Sequence, residues 1–495
     1  MGDSARVEVV SASTATRPTA SRLAGEVVID TARNNLVAGR RKGGRRQWFG
    51  GGDAVRRQLI PVLLLALLIV SIAIPLWIVA TAPPDAHGGL HLASLITSFV
   101  ATSLLVATFV LPSRVRLLTM YLGVERLLRS HRTLALATVA LVGAHVVFVL
   151  VRSDGAGLAL LDLRDAPPRV WAATTATVAL VVMVCLAITR RRRRPRYEGW
   201  RLAHVLLANV VLLGVALHVI WVSDIGDHGA GQIWLVVLAG VMVAISLHRW
   251  VWRPLRAHRN SYVVDEVRAE SATAVTVALH AEGHPGVSFR PGQFAWLKIG
   301  GSPFVFEEHP FTIASPATEP SRKEFTIKAL GDFSEILAGL RPGRTVHLDG
   351  PHGSFTIDGL KNTEGFVFLA GGVGVTPMLS MLRTLADRDD DRPALLVVAG
   401  RTADDMLHRA NIDDLEARLD LRVVEVLEEP PPEWHGEVGW LSEKVLDTAL
   451  PGYGARWRRD YFICGPGPMV AAAIRILEEW GVSDARIHTE LFDVV

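Results

Sequence analysis

Four histidines stand where a histidine is costly. His131 and His145 lie fourteen residues apart in one apolar stretch, and His204 and His218 lie fourteen apart in another. Ionisable side chains inside long hydrophobic runs mark function by default. On an α-helix fourteen residues rise about 21 Å and stop roughly 40° short of four full turns. Both members of a pair therefore look out from nearly one face, at two depths. With the two stretches running in the same direction, His131 comes level with His204 and His145 with His218. Each level then offers two imidazoles to one iron, the ligand set of a bis-histidine haem, whose filled coordination sphere suits electron transfer. Gly143, Ala144, Ala203 and Gly214 are small enough to leave room for a flat macrocycle, and Arg132 and Arg201 are placed to meet its propionates. The bland alternative is four unrelated histidines at helix ends and helix contacts; two matched pairs on alternate stretches weigh against it. His248 has no matched partner and reads as interfacial.

The elements that must position these residues are membrane spans. In 495 residues, 50% hydrophobic, the apolar excess is confined to the first half. A bilayer-crossing helix needs about 20 mainly apolar residues, and six segments qualify: 58–81, 91–112, 132–151, 170–189, 203–222 and 232–252. Breakers such as Pro83-Pro84, Pro112, Pro167-Pro168 and Gly229-Ala230-Gly231 separate them. Basic residues crowd the breaks after the second span (Arg114, Arg116, Arg126, Arg129), the fourth (Arg190 through Arg194) and the sixth (Arg253, Arg256, Arg259). Because lysine and arginine mark cytoplasmic loops, both termini are expected in the cytoplasm of a multi-pass cell-membrane protein. Residues 1–57 lack a periodic apolar pattern and read as a disordered cytoplasmic tail. The only cysteines, Cys185 and Cys464, argue against a disulfide framework or a cysteine-ligated metal site. A net charge of +3 gives no global field for nucleic acid.

From residue 260 the pattern is that of a water-soluble protein. Segments 271–279 and 325–330 read as strands, and Pro291-Gly292-Gln293-Phe294 and Gly350-Pro351-His352-Gly353 as turns. Residues 260–361 are thus expected to form a small antiparallel barrel. At 362–495 strand–loop–helix units begin: Phe366–Ala370 runs into Gly371-Gly372-Val373-Gly374-Val375-Thr376-Pro377, Leu395–Ala399 into Gly400-Arg401-Thr402, and Tyr461–Ile463 into Cys464-Gly465-Pro466. Such units predict a doubly wound parallel sheet, with a pyrophosphate taken at a glycine-lined helix start. The first of these loops is not in the usual Gly-x-Gly-x-x-Gly order, so alone it is a weak signal.

Taken together, these motifs resemble the ferric reductase/NADPH oxidase superfamily, with a C-terminal half similar to ferredoxin–NADP reductase, and the resemblance covers about 58–495. It implies that His309-Pro310-Phe311-Thr312 lines a flavin, with Thr312 at the reactive edge, and that Gly331-Asp332-Phe333-Ser334 cradles the FAD pyrophosphate. It also implies that Gly371, Gly372, Gly374, Thr376 and Pro377 hold the nicotinamide nucleotide's phosphates. Cys464, Gly465 and Pro466 would lie where nicotinamide meets flavin, and Phe492 would cover the flavin ring. The fold implied is a six-helix membrane bundle (58–252, two haems b), then an FAD-binding barrel (260–361) and an NAD(P)-binding domain (362–495). The activity implied is transfer of electrons from cytoplasmic NAD(P)H through FAD and the haems to a small outer-side acceptor, dioxygen or a ferric chelate. NADPH is favoured through Arg401, with Arg409 a weaker second contact, and NADH stays open. Two rival readings remain: a flavin reductase merely anchored in the membrane, and a transporter with a fused NAD(P)-sensing domain. Oligomeric state is not legible.

Overall fold

The computed structural model describes residues 52–81, 88–152, 162–164, 166–193, 197–222, 229–328, 332–360, 362–450 and 456–491. The tail's first fifty-one residues, Gly331 and Phe492 lie outside them. The first half is helical: α1 (Gly52–Thr81), α2 (Gly89–Val110), α3 (Arg116–Leu122), α4 (Val124–Arg152), α5 (Pro168–Arg193), α6 (Tyr197–Val222), α7 (Gly229–Leu247) and α8 (Arg253–Arg259). Six of these are long and apolar enough to cross a membrane, and α7 continues through a π-helical turn, His248–Trp252, into α8. Large apolar side chains such as Leu63, Leu65, Val147, Val181, Leu213 and Val236 stand exposed along the outside. A water-soluble monomer rarely exposes so continuous an apolar surface; lipid covers it here.

Several helices start earlier than hydropathy suggests. The third span, expected from 132, begins at Val124, and Glu125 pairs with Arg129 at 3.4 Å across its first turns. The bilayer limits the apolar length of a helix but not its polar ends, which run on into water. His131 therefore sits two turns inside α4 rather than at its start. Across the bundle, Trp234 of α7 donates to the Ser71 carbonyl of α1 at 2.8 Å, and Ser71 Oγ meets Ser103 Oγ of α2 at 3.0 Å. These bonds lash three helices with short polar groups, as expected where lipid offers no hydrophobic driving force between helices.

The second half holds two sheets. Six strands, β1 (Ser261–Ser271), β2 (Ala274–Ala281), β3 (Phe294–Ile299), β4 (His309–Thr312), β5 (Arg322–Lys328) and β6 (Thr345–His352), pair antiparallel in the order β4-β3-β6-β1-β2-β5. A bond from Ala314 N–H to the Glu324 carbonyl, 2.7 Å, brings the two edges together and closes the barrel. Two sequence readings are corrected. The stretch 271–279 is not one strand, because Ser271 ends β1 and pairs with Ala274 across a two-residue turn. Gly350-Pro351-His352-Gly353 is not a free turn either, since β6 runs to His352 with a register shift opposite Phe294–Trp296. Proline is tolerated inside a sheet at such a bulge, and a Cβ on Gly350 would stand 2.8 Å from that of Ala295.

The other sheet is all parallel, in the order β10-β9-β8-β7-β11-β12: β7 (Phe366–Gly371), β8 (Ala394–Gly400), β9 (Leu421–Leu427), β10 (Glu437–Val438), β11 (Asp460–Gly465) and β12 (Ile487–Leu491). Its strands are apolar on both faces. Phe366 and Phe368 pack under α10 (Val375–Asp387) and α11 (Arg409–Arg418), while Val367 and Leu369 pack under α12 (Glu443–Ala449) and α13 (Gly467–Glu479). Strand order reverses between β7 and β11. Ligands of doubly wound sheets bind at that point, beyond the carboxyl ends of the strands.

Candidate functional site

The inner histidines face each other. The rings of His131 on α4 and His204 on α6 have centroids 6.4 Å apart and planes at 74°. An iron bound at about 2.0–2.1 Å to one nitrogen of each ring would put the centroids roughly 6 Å apart. His131 Nδ1 lies 2.9 Å from the Thr108 carbonyl, His145 Nδ1 3.0 Å from the Ser94 carbonyl and His218 Nδ1 3.0 Å from the Arg169 carbonyl. A carbonyl only accepts, so the proton belongs on Nδ1 and the lone pair on Nε2. Metal-ligating histidines are oriented in this way by their second nitrogen. His204 stacks on Trp200 at 5.1 Å, and its buried Nδ1 has no hydrogen-bond partner. The inner pair is thus spaced to take one metal ion between its rings, and the outer two histidines share the same Nδ1 orientation.

Two residues assigned to the haem environment turn out otherwise. A Cβ on Gly214 would stand 2.9 Å from the Ala172 carbonyl and the Ala176 Cβ, so this glycine lets α5 approach α6 rather than opening a pocket. Arg201 points away from the histidines to the Glu308 carboxylate and the Phe306 carbonyl. Gly143, by contrast, has open space where a side chain would be.

At the switch point of the parallel sheet two glycine loops touch. A Cβ on Gly374 would lie 2.2 Å from the Cys464 carbonyl oxygen, and one on Gly465 3.0 Å from Gly371 Cα. Gly372 has φ +52, a conformation side chains disfavour. Thr376 Oγ1 turns back to the Val373 carbonyl at 2.9 Å, and Pro377 follows inside α10's first turn. The arrangement leaves bare backbone at the sheet's carboxyl edge, the surface a pyrophosphate needs. On the barrel side, β4 carries His309, Pro310 and Phe311 half-buried and Thr312 buried. The chain beyond β4 is tied to α10 by Ser380 Oγ to the Ser315 carbonyl at 2.8 Å and by Ala317 N–H to Thr384 Oγ1 at 2.9 Å. Flavin-type strand and nucleotide loop therefore belong to one unit. Ser334 is buried in α9 (Asp332–Ala338).

Arg401 and Arg409 already have partners. Arg401 pairs with Glu429 at 3.0 Å, and Arg409 Nε donates to Glu425 at 2.7 Å. Neither pairing is legible in sequence, because both carboxylates come from β9 or just beyond it.

Sequence reasoning also missed Glu490. It lies on β12 in register with Cys464, and its Oε2 is sealed from solvent without a hydrogen-bond partner. Burial, then the charge of Glu125, pushes its carboxyl from 4.5 up to about 8. Burial, then Glu490, also pushes the Cys464 thiol well up, so it is no thiolate nucleophile. An acid whose folded value is raised contributes stability fully below its unfolded value of 4.5, and that contribution is lost as pH rises through about 8. The melting temperature of the protein is thus expected to fall from pH 5 to 8.5 more steeply than that of Glu490→Gln. Parallel pH curves in a thermal melt would remove Glu490 as the cause.

Comparison with known proteins agrees with this geometry. Residues 97–215 match the family described as "Ferric reductase like transmembrane component", and 368–475 match "Oxidoreductase NAD-binding domain". The reductase component of propane 2-monooxygenase from Rhodococcus jostii (strain RHA1) is 34% identical over 219 residues, 42% of this chain and 56% of that protein. NADH-cytochrome b5 reductase 1 from Candida albicans is 32% identical over 168 residues, 33% of this chain and 56% of that protein. The chain spans about half the length of these relatives. Among solved structures, the ferredoxin reductase in carbazole 1,9a-dioxygenase is 27% identical with a TM-score of 0.42, covering 47% of this chain and 69% of that one. The chain is thus a multi-pass membrane oxidoreductase that joins a segment matching a ferric reductase-like transmembrane component to a segment matching an NAD-binding oxidoreductase domain, and in this it resembles the ferric reductase/NADPH oxidase superfamily.

Proposed function

We propose that this protein carries electrons from cytoplasmic NAD(P)H, by way of FAD and two haems b, to a small acceptor on the opposite side of the membrane, dioxygen or a ferric chelate. The observation that carries the reading is the set of imidazoles at two depths, three of them oriented by Nδ1–H bonds to backbone carbonyls. His131 and His204 would hold the cytoplasmic-side iron, His145 and His218 the outer one. Flavin supplies the conversion that such a chain needs, accepting two electrons together and releasing them singly. Thr312, His309, Pro310 and Phe311 would line its ring, with Gly331, Ser334 and Phe492 as further contacts. The glycines of 371–374, with Thr376 and Pro377, would hold the coenzyme's phosphates, and Cys464, Gly465 and Pro466 would set the nicotinamide against the flavin. Arginine-rich breaks at 114–129, 190–201 and 253–259 support cytoplasmic termini. The test is the visible spectrum of detergent-purified protein before and after anaerobic NADH or NADPH. A bis-histidine haem b spectrum reduced by either coenzyme supports the path. A flavin-only spectrum after haem-supplemented expression would leave the anchored reductase instead.

We infer NADH rather than NADPH as the preferred coenzyme, on the surroundings of Arg401. A 2′-phosphate at Arg401 must displace Glu429 and enter a patch that also holds Asp404, Asp405 and Glu428. A 2′-hydroxyl needs only an acceptor, which a carboxylate provides. NADH should therefore exceed NADPH in kcat/KM, and Glu429→Gln should narrow the ratio. Steady-state rates with both coenzymes decide it; equal efficiencies in the unaltered protein would return the preference to Arg401.

A further inference from the structure

One carboxylate joins the two halves of the molecule. Glu308, the residue before β4, has a side chain only 2% exposed. Arg114, just beyond α2, reaches its Oε1 at 2.7 Å, and Arg201 of α6 reaches the same oxygen. Arg253, at the start of α8, and Lys298, on β3, stand 3.6 and 3.4 Å from its Oε2. Asp349 on β6 shares Arg253 and lies 3.6 Å from Arg114. Three arginines from separate parts of the helical half thus converge on a single barrel residue, and Arg114 Cζ also lies over the Trp296 ring, 3.6 Å from its centroid. Trp296 is itself the register partner of Pro310 on β4. Burial pushes the Glu308 carboxyl up, but Arg114, Arg253, Arg201 and Lys298 outweigh it and hold it below the usual carboxylate range.

The cluster occupies a particular place. Arg201 lies three residues before His204 on the same helix, and Glu308 is bonded to His309. From the inner imidazole to the strand proposed to line the flavin, the connection is one turn of helix, one buried ion pair and one peptide bond. We propose that Glu308 is a positioning residue: it fixes the separation of the flavin-lining strand from the inner histidine pair, and so sets the rate at which electrons leave the flavin for the membrane. This rests on the function proposed above. Four cations face two carboxylates here, so removing one carboxylate leaves buried arginines without a counter-charge. Breaking one side of a buried pair is strongly unfavourable, and the corner relaxes by letting water in and the halves apart. Electron transfer weakens steeply as the gap between donor and acceptor widens, so separation added at this corner slows haem reduction.

The experiment uses the full chain in detergent, loaded with FAD and haem. It compares Glu308→Gln, Glu308→Asp and the double swap Arg201→Glu with Glu308→Arg against the unaltered protein. Ferricyanide reduction by NADH reads the soluble half alone, stopped-flow haem reduction by NADH reads transfer across the junction, and a redox titration reads the haem potentials. The expected result is a loss of haem-reduction rate in Glu308→Gln that ferricyanide reduction does not share, with unchanged potentials and partial recovery in Glu308→Asp or in the swap. Haem reduction at the unaltered rate in Glu308→Gln overturns the proposal, and so does a parallel loss of ferricyanide reduction in all three variants, which marks general damage. If NADH reduces no haem even in the unaltered protein while dithionite does, the functional reading itself falls, and this proposal with it.

Discussion

Replacing His204 by leucine is expected to yield a full-length flavoprotein with half the haem of the parent, and with none of the remaining haem reducible by NADH. The His131–His204 pair is the one nearer the barrel, since Arg201, a turn from His204, reaches Glu308. Leucine fills the imidazole's volume without offering a ligand. The partner, His131, keeps its Nδ1 contact to Thr108 and the helix keeps its apolar surface, so the bundle should still fold. His218→Leu should behave differently. It too loses half the haem, but the half that stays is still reduced by NADH, while transfer to an external acceptor disappears. Haem-to-flavin ratio and spectra under NADH and then dithionite separate the outcomes. A full haem complement in His204→Leu refutes the ligand assignment. NADH-reducible haem in that variant refutes the order of the two pairs.

How far the sequence carries the reading depends on how local each signal is. The fourteen-residue spacing is legible because helix geometry converts it directly into one face and two depths, and at the inner depth the rings of His131 and His204 come within 6.4 Å. Glycine loops at 371–374 and 464–466 are also legible, since strand–loop–helix units announce themselves in order. Glu308 is not. Its partners Arg201 and Arg114 lie 107 and 194 residues away, and nothing in a run of Phe-Glu-Glu-His says which carboxylate is buried. The same limit explains Gly214: a small residue on a histidine-bearing helix suggests a pocket, whereas the facing helix decides its use. Segment 271–279 misleads for another reason. Its alternation of small and branched residues continues through Ala272-Thr273 without glycine or proline, so the turn there leaves no mark. Arg401 is legible as a residue, whereas its pairing with Glu429 is not, because that carboxylate belongs to another strand end.

Gly374→Ala is expected to cut NADH-dependent flavin reduction about a hundredfold while leaving the haem spectrum, and its reduction by dithionite, unchanged. The added Cβ would lie 2.2 Å from the Cys464 carbonyl oxygen and 2.7 Å from its carbonyl carbon. Those are backbone atoms of β11, a fully buried strand hydrogen-bonded on both sides, so no flexible side chain can yield. Something must move, and what can move is the loop between β7 and α10. Overpacking of this kind costs about 1–3 kcal/mol, which a large parallel sheet with a core on each face can absorb. Function is less tolerant. In the proposed site the loop's backbone N–H groups and the Cys464–Pro466 turn would meet two ends of one dinucleotide, and a displacement of about 1 Å in such positioning costs roughly a hundredfold in rate. Gly372→Ala is the control: no atom lies within 4 Å of its Cβ, so only the strain of φ +52 is added and a smaller loss is expected. Stopped-flow flavin bleaching under NADH gives both rates. If Gly374→Ala reduces its flavin as fast as the parent, the touching loops do not form the coenzyme site, and the carboxyl edge of β7 and β11 loses its role.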